Sequence, residues 1–200
     1  MAITNGYCTL AELKSALRIT DSTDDTLLES AIESASRRID GYCGRFFYKT
    51  SQTAVPMYPY NEYLLDFGRD VANTSVTIKI DSAGDGTYAT TLTQGVDYVL
   101  QPRNVPIYTR PYESARMVGG ATFPLFTLPS FETVQVTAQW GWENIPDDVN
   151  QACILLSMRQ FARLNAALGV VGFADMAITV RAVDPDVRDL LSQYRRFGIA

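Results

Sequence analysis

Apolar residues recur along this chain at two spacings, helical toward both ends and alternating through the middle. Near the start, Thr9-Leu10-Ala11-Glu12 is a capping-box sequence, in which the Thr and Glu side chains satisfy each other's backbone N–H groups. It opens a short helix carried by Leu10, Leu13, Ala16 and Leu17, and Arg18-Ile19-Thr20 leads out of it. The polar turn Asp21 to Asp25 then places acids at the start of a longer helix, where they complement its dipole. Leu27, Leu28, Ala31, Ile32, Ala35, Ile39 and Tyr42 fall on one stripe of that helix. Each such residue, once buried, contributes roughly 1.5–3 kcal/mol before entropy is subtracted. Glu33 and Arg37 are spaced for an ion pair on the opposite face, and Gly41 and Gly44 are expected to end the helix.

From about Thr50 the period changes to two. Val76-Thr77-Ile78-Lys79-Ile80 alternates and runs into Asp81-Ser82-Ala83-Gly84-Asp85-Gly86, a turn rich in residues that tolerate positive φ. Tyr88 to Leu92 reads as the returning strand of a hairpin. Tyr98-Val99-Leu100 and Thr133 to Trp140 are further strands. The stretch 101–131, with Pro102, Pro106, Pro111, Pro124, Pro129 and Gly119-Gly120, reads as a long loop.

Helical spacing returns at Ile145-Pro146-Asp147-Asp148, where proline and two acids suit a helix start. Val149, Ala152, Cys153, Leu156, Phe161 and Leu164 carry it to about Asn165. Ala177 to Val180 is a candidate strand, and Asp184-Pro185 introduces a last helix from Asp186 to Arg196. The expected fold class is α+β. A helical bundle drawn from both chain ends (1–49 and 143–200) carries an inserted antiparallel β-rich region (50–142).

Composition narrows the chemistry. The 200 residues contain no histidine, so Ser-His-Asp and Cys-His arrangements cannot be built. Lys14, Lys49 and Lys79 lie in no SxxK setting, and Asp24-Asp25 and Asp147-Asp148 are explained as helix starts. Cys8, Cys43 and Cys153 are scattered, which argues against a Cys/His metal site and for reduced thiols in or near the core. Asp81 to Gly86 fails as a calcium loop, because Ala83 and Leu92 occupy ligand positions. No Gly-rich phosphate loop is present, so no cofactor is expected. No apolar run is long enough to span a bilayer and the N-terminus has no secretory pattern, so neither membrane insertion nor export is expected.

A formal charge of −5 disfavours a protein that grips nucleic-acid phosphates. Aromatics crowd the middle region: Tyr58, Tyr60, Tyr63, Phe67, Tyr88, Tyr98, Tyr108, Tyr112, Phe123, Phe126, Phe131, Trp140 and Trp142. They fit a small β core, a protein-facing surface or a sugar-binding face.

Three stretches, in order, resemble the head–tail connector (adaptor) family of tailed bacteriophages. Leu10-Ala11-Glu12-Leu13-Lys14 to Ile19, the acidic turn, and the helix ending Tyr42-Cys43-Gly44-Arg45-Phe46-Phe47 are similar to the family's opening. Trp140-Gly141-Trp142 to Ala152 resembles its strand, aromatic–glycine turn and "IPxDV" helix start. Leu190-Leu191-Ser192-Gln193-Tyr194-Arg195 is similar to its "LLxxYR" ending. The inserted region looks longer than in the smallest members.

The resemblance implies a non-enzymatic virion protein of the phage neck, assembled in the host cytoplasm. It implies a ring of identical subunits, a dodecamer by family analogy, docked on the portal protein. The ring extends the channel through which phage DNA passes without sequence-specific binding, and it is the platform for the next neck or tail protein. Val187, Arg188, Leu190, Leu191, Tyr194, Arg195 and Arg196 are the candidate portal-facing residues, since a short helix needs a surface for its apolar side, on its own subunit or on a partner. A segment that is mobile until docking orders it is one expectation; packing on the subunit's own helices is the other. Another neck component (a head-closure or tail-completion protein) and a β-rich ligand-binding module are the alternatives.

Overall fold

The computed structural model describes residues 3–72, 75–104, 110–125, 132–165, 172–173, 176–177 and 185–196. The chain divides into two compact units, one made of Met1–Tyr48 with Ile145–Ala200 and the other of Lys49–Asn144.

The first unit is helical. Helix α1 (Leu10–Leu17) starts on the expected capping box, with Thr9 Oγ1 accepting from the Glu12 amide at 3.2 Å and the Thr9 amide donating to Glu12 at 2.7 Å. It stops at Arg18, whose left-handed φ of 58° lets its amide and that of Ile19 close the last turn. Helix α2 (Asp25–Cys43) packs on α3 (Asp147–Asn165), the most extensive helix contact in the unit. Leu28, Ala31, Ile32, Ala35 and Ile39 are buried as the spacing predicts, whereas Leu27 is 48% exposed. Ser36 and Cys43, not Leu27, complete the buried face. Gly41 lies inside α2, and Gly44 alone caps it, at φ 66°. Arg37 pairs with Asp40 at 3.0 Å, while Glu33 accepts from the Asn5 amide, so the expected Glu33–Arg37 pairing gives way to contacts with the N-terminal segment.

Tyr7 anchors that segment. Its amide donates to Ser36 Oγ at 3.0 Å, its hydroxyl donates to Asp40 and accepts from the Phe47 amide, and its carbonyl accepts from Asn150. Helix α4 (Pro185–Ser192) is shorter than the sequence predicts: after Ser192 the backbone turns, and the Arg196 amide donates to the Cys43 carbonyl at 2.8 Å. The candidate strand at 177–180 is described only at its first residue, where β9 (Met176–Ala177) pairs with β8 (Gly172–Phe173); 178–180 lie outside the described residues.

The second unit is antiparallel β. A four-stranded sheet has the order β1 (Gln52–Met57), β7 (Val134–Gln139), β3 (Thr77–Ile80), β4 (Thr90–Leu92). A three-stranded sheet has the order β2 (Leu64–Val71), β6 (Tyr112–Met117), β5 (Tyr98–Gln101). The β3–β4 hairpin is the one expected, with Ile78 opposite Leu92. Val136 sits opposite both Val55 and Ile78, so β7 is the spine of the larger sheet. Pro56 is accommodated because β1 is an edge strand.

The stretch 101–131 is not loop throughout: β6 lies within it and forms the centre of the smaller sheet, with Ala115 opposite both Leu65 and Leu100. Its period is hidden in the sequence because Glu113, Ser114 and Arg116 dilute the buried Tyr112, Ala115 and Met117. The aromatics divide. Phe67, Tyr98, Tyr112, Phe123, Trp140 and Trp142 are buried, while Tyr58, Tyr60 and Tyr63 are exposed. Tyr108, Phe126 and Phe131 lie outside the described residues.

Candidate assembly surfaces

The helical unit presents the C-terminal helix as its most distinctive surface. Val187 and Leu191 of α4 are buried, and the helix packs on α3 and α2 of its own unit. Tyr194 follows it with its ring edge-on to Phe47 at 5.6 Å, and its hydroxyl donates to Asp148 Oδ2 at 3.1 Å. Gln193 Nε2 donates to the same carboxylate oxygen at 2.8 Å. Asp148, read from the sequence as a helix-start acid, therefore also holds the end of the chain's last turn. Nothing in its spacing signals that role, which depends on a partner 46 residues away.

The candidate portal-facing residues differ in exposure within the subunit. Val187 and Leu191 face inward and Tyr194 is half-buried, which leaves Arg188, Leu190, Arg195 and Arg196 with exposed or half-buried positions. The Arg195 guanidinium lies 5.2 Å from the centre of the Tyr42 ring, a cation–π geometry that orients it. Beside it, Arg38, Ile39, Tyr42, Leu156, Val187, Arg188 and Leu191 line a depression of about 290 Å³. Its lining is mostly apolar, with Arg38 and Arg188 among the residues that form it.

The β unit has a second candidate surface, at one end of the smaller sheet. The Met117 amide donates to the Tyr63 carbonyl at 2.9 Å, Phe123 to Glu62 at 2.8 Å, and Val118 to Asp97 at 2.8 Å. These bonds gather three loops, and with them exposed Tyr60, Tyr63, Val96 and Leu125. Gly119 makes the approach feasible. Its φ is 66°, and a Cβ there would stand 2.7 Å from the Val96 carbonyl oxygen.

The turn after β3 is closed by its own acid. Asp81 is buried and accepts from the amides of Ala83 at 3.1 Å, Gly84 at 2.8 Å and Gly86 at 2.7 Å. Burial opposes its ionisation, but the N–H groups of Gly86, Gly84 and Ala83 outweigh it and hold the carboxyl below the usual range. Among the described residues no group of three or more Cys, Asp or Glu is placed to hold a metal ion, and no helix is long and apolar enough to cross a membrane.

Residues 7–80 match a family described as "Phage gp6-like head-tail connector protein". That span runs from Tyr7 through α1, α2 and the first three strands, and it contains the first stretch on which the sequence resemblance rests. The resemblance to phage head–tail connectors read from the sequence is borne out over those residues. No curated protein matches the chain by sequence. Among solved structures, the chain is similar over its whole length to one described as "Neck of empty GTA particle computed with C6 symmetry" (17% identity, TM-score 0.60, 95% of that chain covered). It is similar likewise to "Neck of native GTA particle computed with C12 symmetry" (20% identity, TM-score 0.57, 94% covered). A third, "Virion of native gene transfer agent (GTA) particle", gives 19% identity, a TM-score of 0.58 and 95% coverage. At these identities the likeness shows a shared α+β fold.

Proposed function

We propose that this protein is a structural subunit of a phage-type neck, a head–tail connector that assembles into a closed ring, docks on the portal protein and carries the next neck or tail protein. The observation that carries this reading is the connector-family match over residues 7–80, joined to a full-length fold likeness to proteins from neck structures. Sixfold and twelvefold symmetry in those structures favours a cyclic assembly for this chain as well, with a dodecamer as the stoichiometry. Such a ring needs two different patches on each subunit. The exposed tyrosine-rich loops of the β unit supply one candidate, and the outer face of the first helices supplies the other. Arg188, Leu190, Arg195 and Arg196 form the portal-docking edge, where the positive charge of the three arginines steers association with an acidic partner surface. The protein catalyses nothing, in keeping with a chain without histidine. Assembly takes place in the host cytoplasm, and the finished virion neck is the working location.

The test is electron microscopy and native mass spectrometry of the protein mixed with its portal. Closed cyclic oligomers seated on the portal are expected. A strict twofold dimer under every condition would overturn the ring.

A further inference from the structure

Two of the three buried thiols meet. Cys8, on the irregular segment before α1, and Cys153, on the second turn of α3, have their Sγ atoms 3.4 Å apart, and both side chains are buried. They are 145 residues apart in sequence and come from the two separate stretches of chain that build the helical unit. Cys43 is also buried but has a different setting: burial pushes its thiol up to about 11.

We propose that Cys8 and Cys153 form an oxidisable dithiol that hydrogen peroxide closes into a disulfide, locking the N-terminal segment onto α3. The geometry requires a closure of about 1.3 Å to reach the ~2.05 Å of an S–S bond. The closure is asked of the Cys8 side, which lies on an irregular segment between the anchored Tyr7 and the capping residue Thr9 and belongs to no helical turn. The surroundings also divide the roles of the two sulfurs. Cys8 donates its S–H to Cys153, and the Ser36 and Ser157 hydroxyls lie 3.5 and 4.0 Å from the same Cys153 sulfur. The hydrogen bond from Cys8 chiefly, then those serines, draw the Cys153 thiol down against its burial, and donating the same bond pushes Cys8 up. Cys153 is therefore the attacking thiolate and Cys8 the resolving thiol.

In the first step the Cys153 thiolate attacks one oxygen of the peroxide. An S–O bond forms, the O–O bond breaks, and the departing hydroxide takes up the proton that Cys153 released, leaving as water. In the second, the Cys8 sulfur attacks the sulfenic sulfur. The S–S bond forms, the S–O bond breaks, and the hydroxyl leaves as water with the Cys8 proton. The two sulfurs together lose two electrons, and one peroxide becomes two waters. A small oxidant suits this buried pair, whereas a mixed disulfide with a glutathione-sized thiol would have to open the packing that buries both sulfurs.

The experiment uses the full chain, treated with hydrogen peroxide, quenched, denatured, alkylated and mapped by mass spectrometry. A Cys8–Cys153 linked peptide two hydrogens lighter than its parts is expected, with Cys43 alkylated. The thermal midpoint of the oxidised protein should rise by roughly 5–10 °C, because the bridge constrains a long loop in the unfolded chain. Oxidised glutathione at the same oxidising equivalents should leave both thiols free. In Cys8→Ser, Cys153 should be captured by dimedone as its sulfenic acid. Alkylation of both Cys8 and Cys153 after peroxide, or linkage through Cys43, overturns the proposal. The wild-type map decides this even if the serine variant fails to fold.

Discussion

The indole Nε1 of Trp142 donates to Asp70 Oδ2 at 2.9 Å, tying the residues after β7 to the end of β2. The Gly141 amide adds a bond to the Asp70 carbonyl at 2.8 Å, and Gly141 reaches it with a φ of 104°. Asp70 is only 2% exposed, so its carboxylate depends on protein donors in place of water. Trp142→Phe keeps an aromatic ring and removes this donor. It should cost about 1.5–3 kcal/mol, the range for a hydrogen bond to a charged group. Urea unfolding checks this; a change within error would mean that the bond is dispensable.

The C-terminal helix should behave as part of the folded subunit. Leu191 is 2% exposed, and Leu191→Ala should destabilise the helical unit by about 2–5 kcal/mol. Hydrogen exchange should find the amides of Val187 to Leu191 protected in the isolated protein, and truncation after Val183 should unfold the unit as well as abolish assembly. Exchange at the rate of an unstructured peptide would instead favour a segment ordered by docking.

Alkaline pH should destabilise the β unit. Burial pushes the Tyr98 hydroxyl up to about 12, and that hydroxyl donates to the Val76 carbonyl at 2.9 Å. The native state therefore keeps this proton at a pH where an unfolded tyrosine has lost it. The associated stability is fully present below pH ~10 and is lost as pH rises through about 12. Tyr98→Phe should cost about 1 kcal/mol at neutral pH and flatten this alkaline decline. Unfolding midpoints from pH 8 to 12 in both proteins would show whether the slope changes.

Duplex DNA should not bind the isolated subunit appreciably at physiological salt. A net charge of −5 repels the phosphate backbone, in line with the proposed ring around passing DNA. Tight binding with a steep salt dependence, read by a filter or anisotropy titration, would sink the idea of a non-adhesive lumen.

Local chemistry was legible in the sequence wherever the controlling partners are near neighbours. The capping box at Thr9 and Glu12, the stripe through Leu28, Ile32 and Ile39, the Asp81 turn and the β3–β4 hairpin all depend on spacings of a few residues. So did the connector resemblance, whose first stretch falls inside the matched residues 7–80. Tertiary structure decided what depends on distant partners. Strand β6 declares itself only through Leu65 and Leu100 on either side of Ala115. Asp148 becomes an anchor only when Tyr194 arrives, and Leu27 is left in solvent while Ser36 is buried beneath Tyr7. The pairing of Cys8 with Cys153 belongs to the same class. Periodicity specifies which face of a helix is apolar, but only packing of the whole chain determines which groups that face meets.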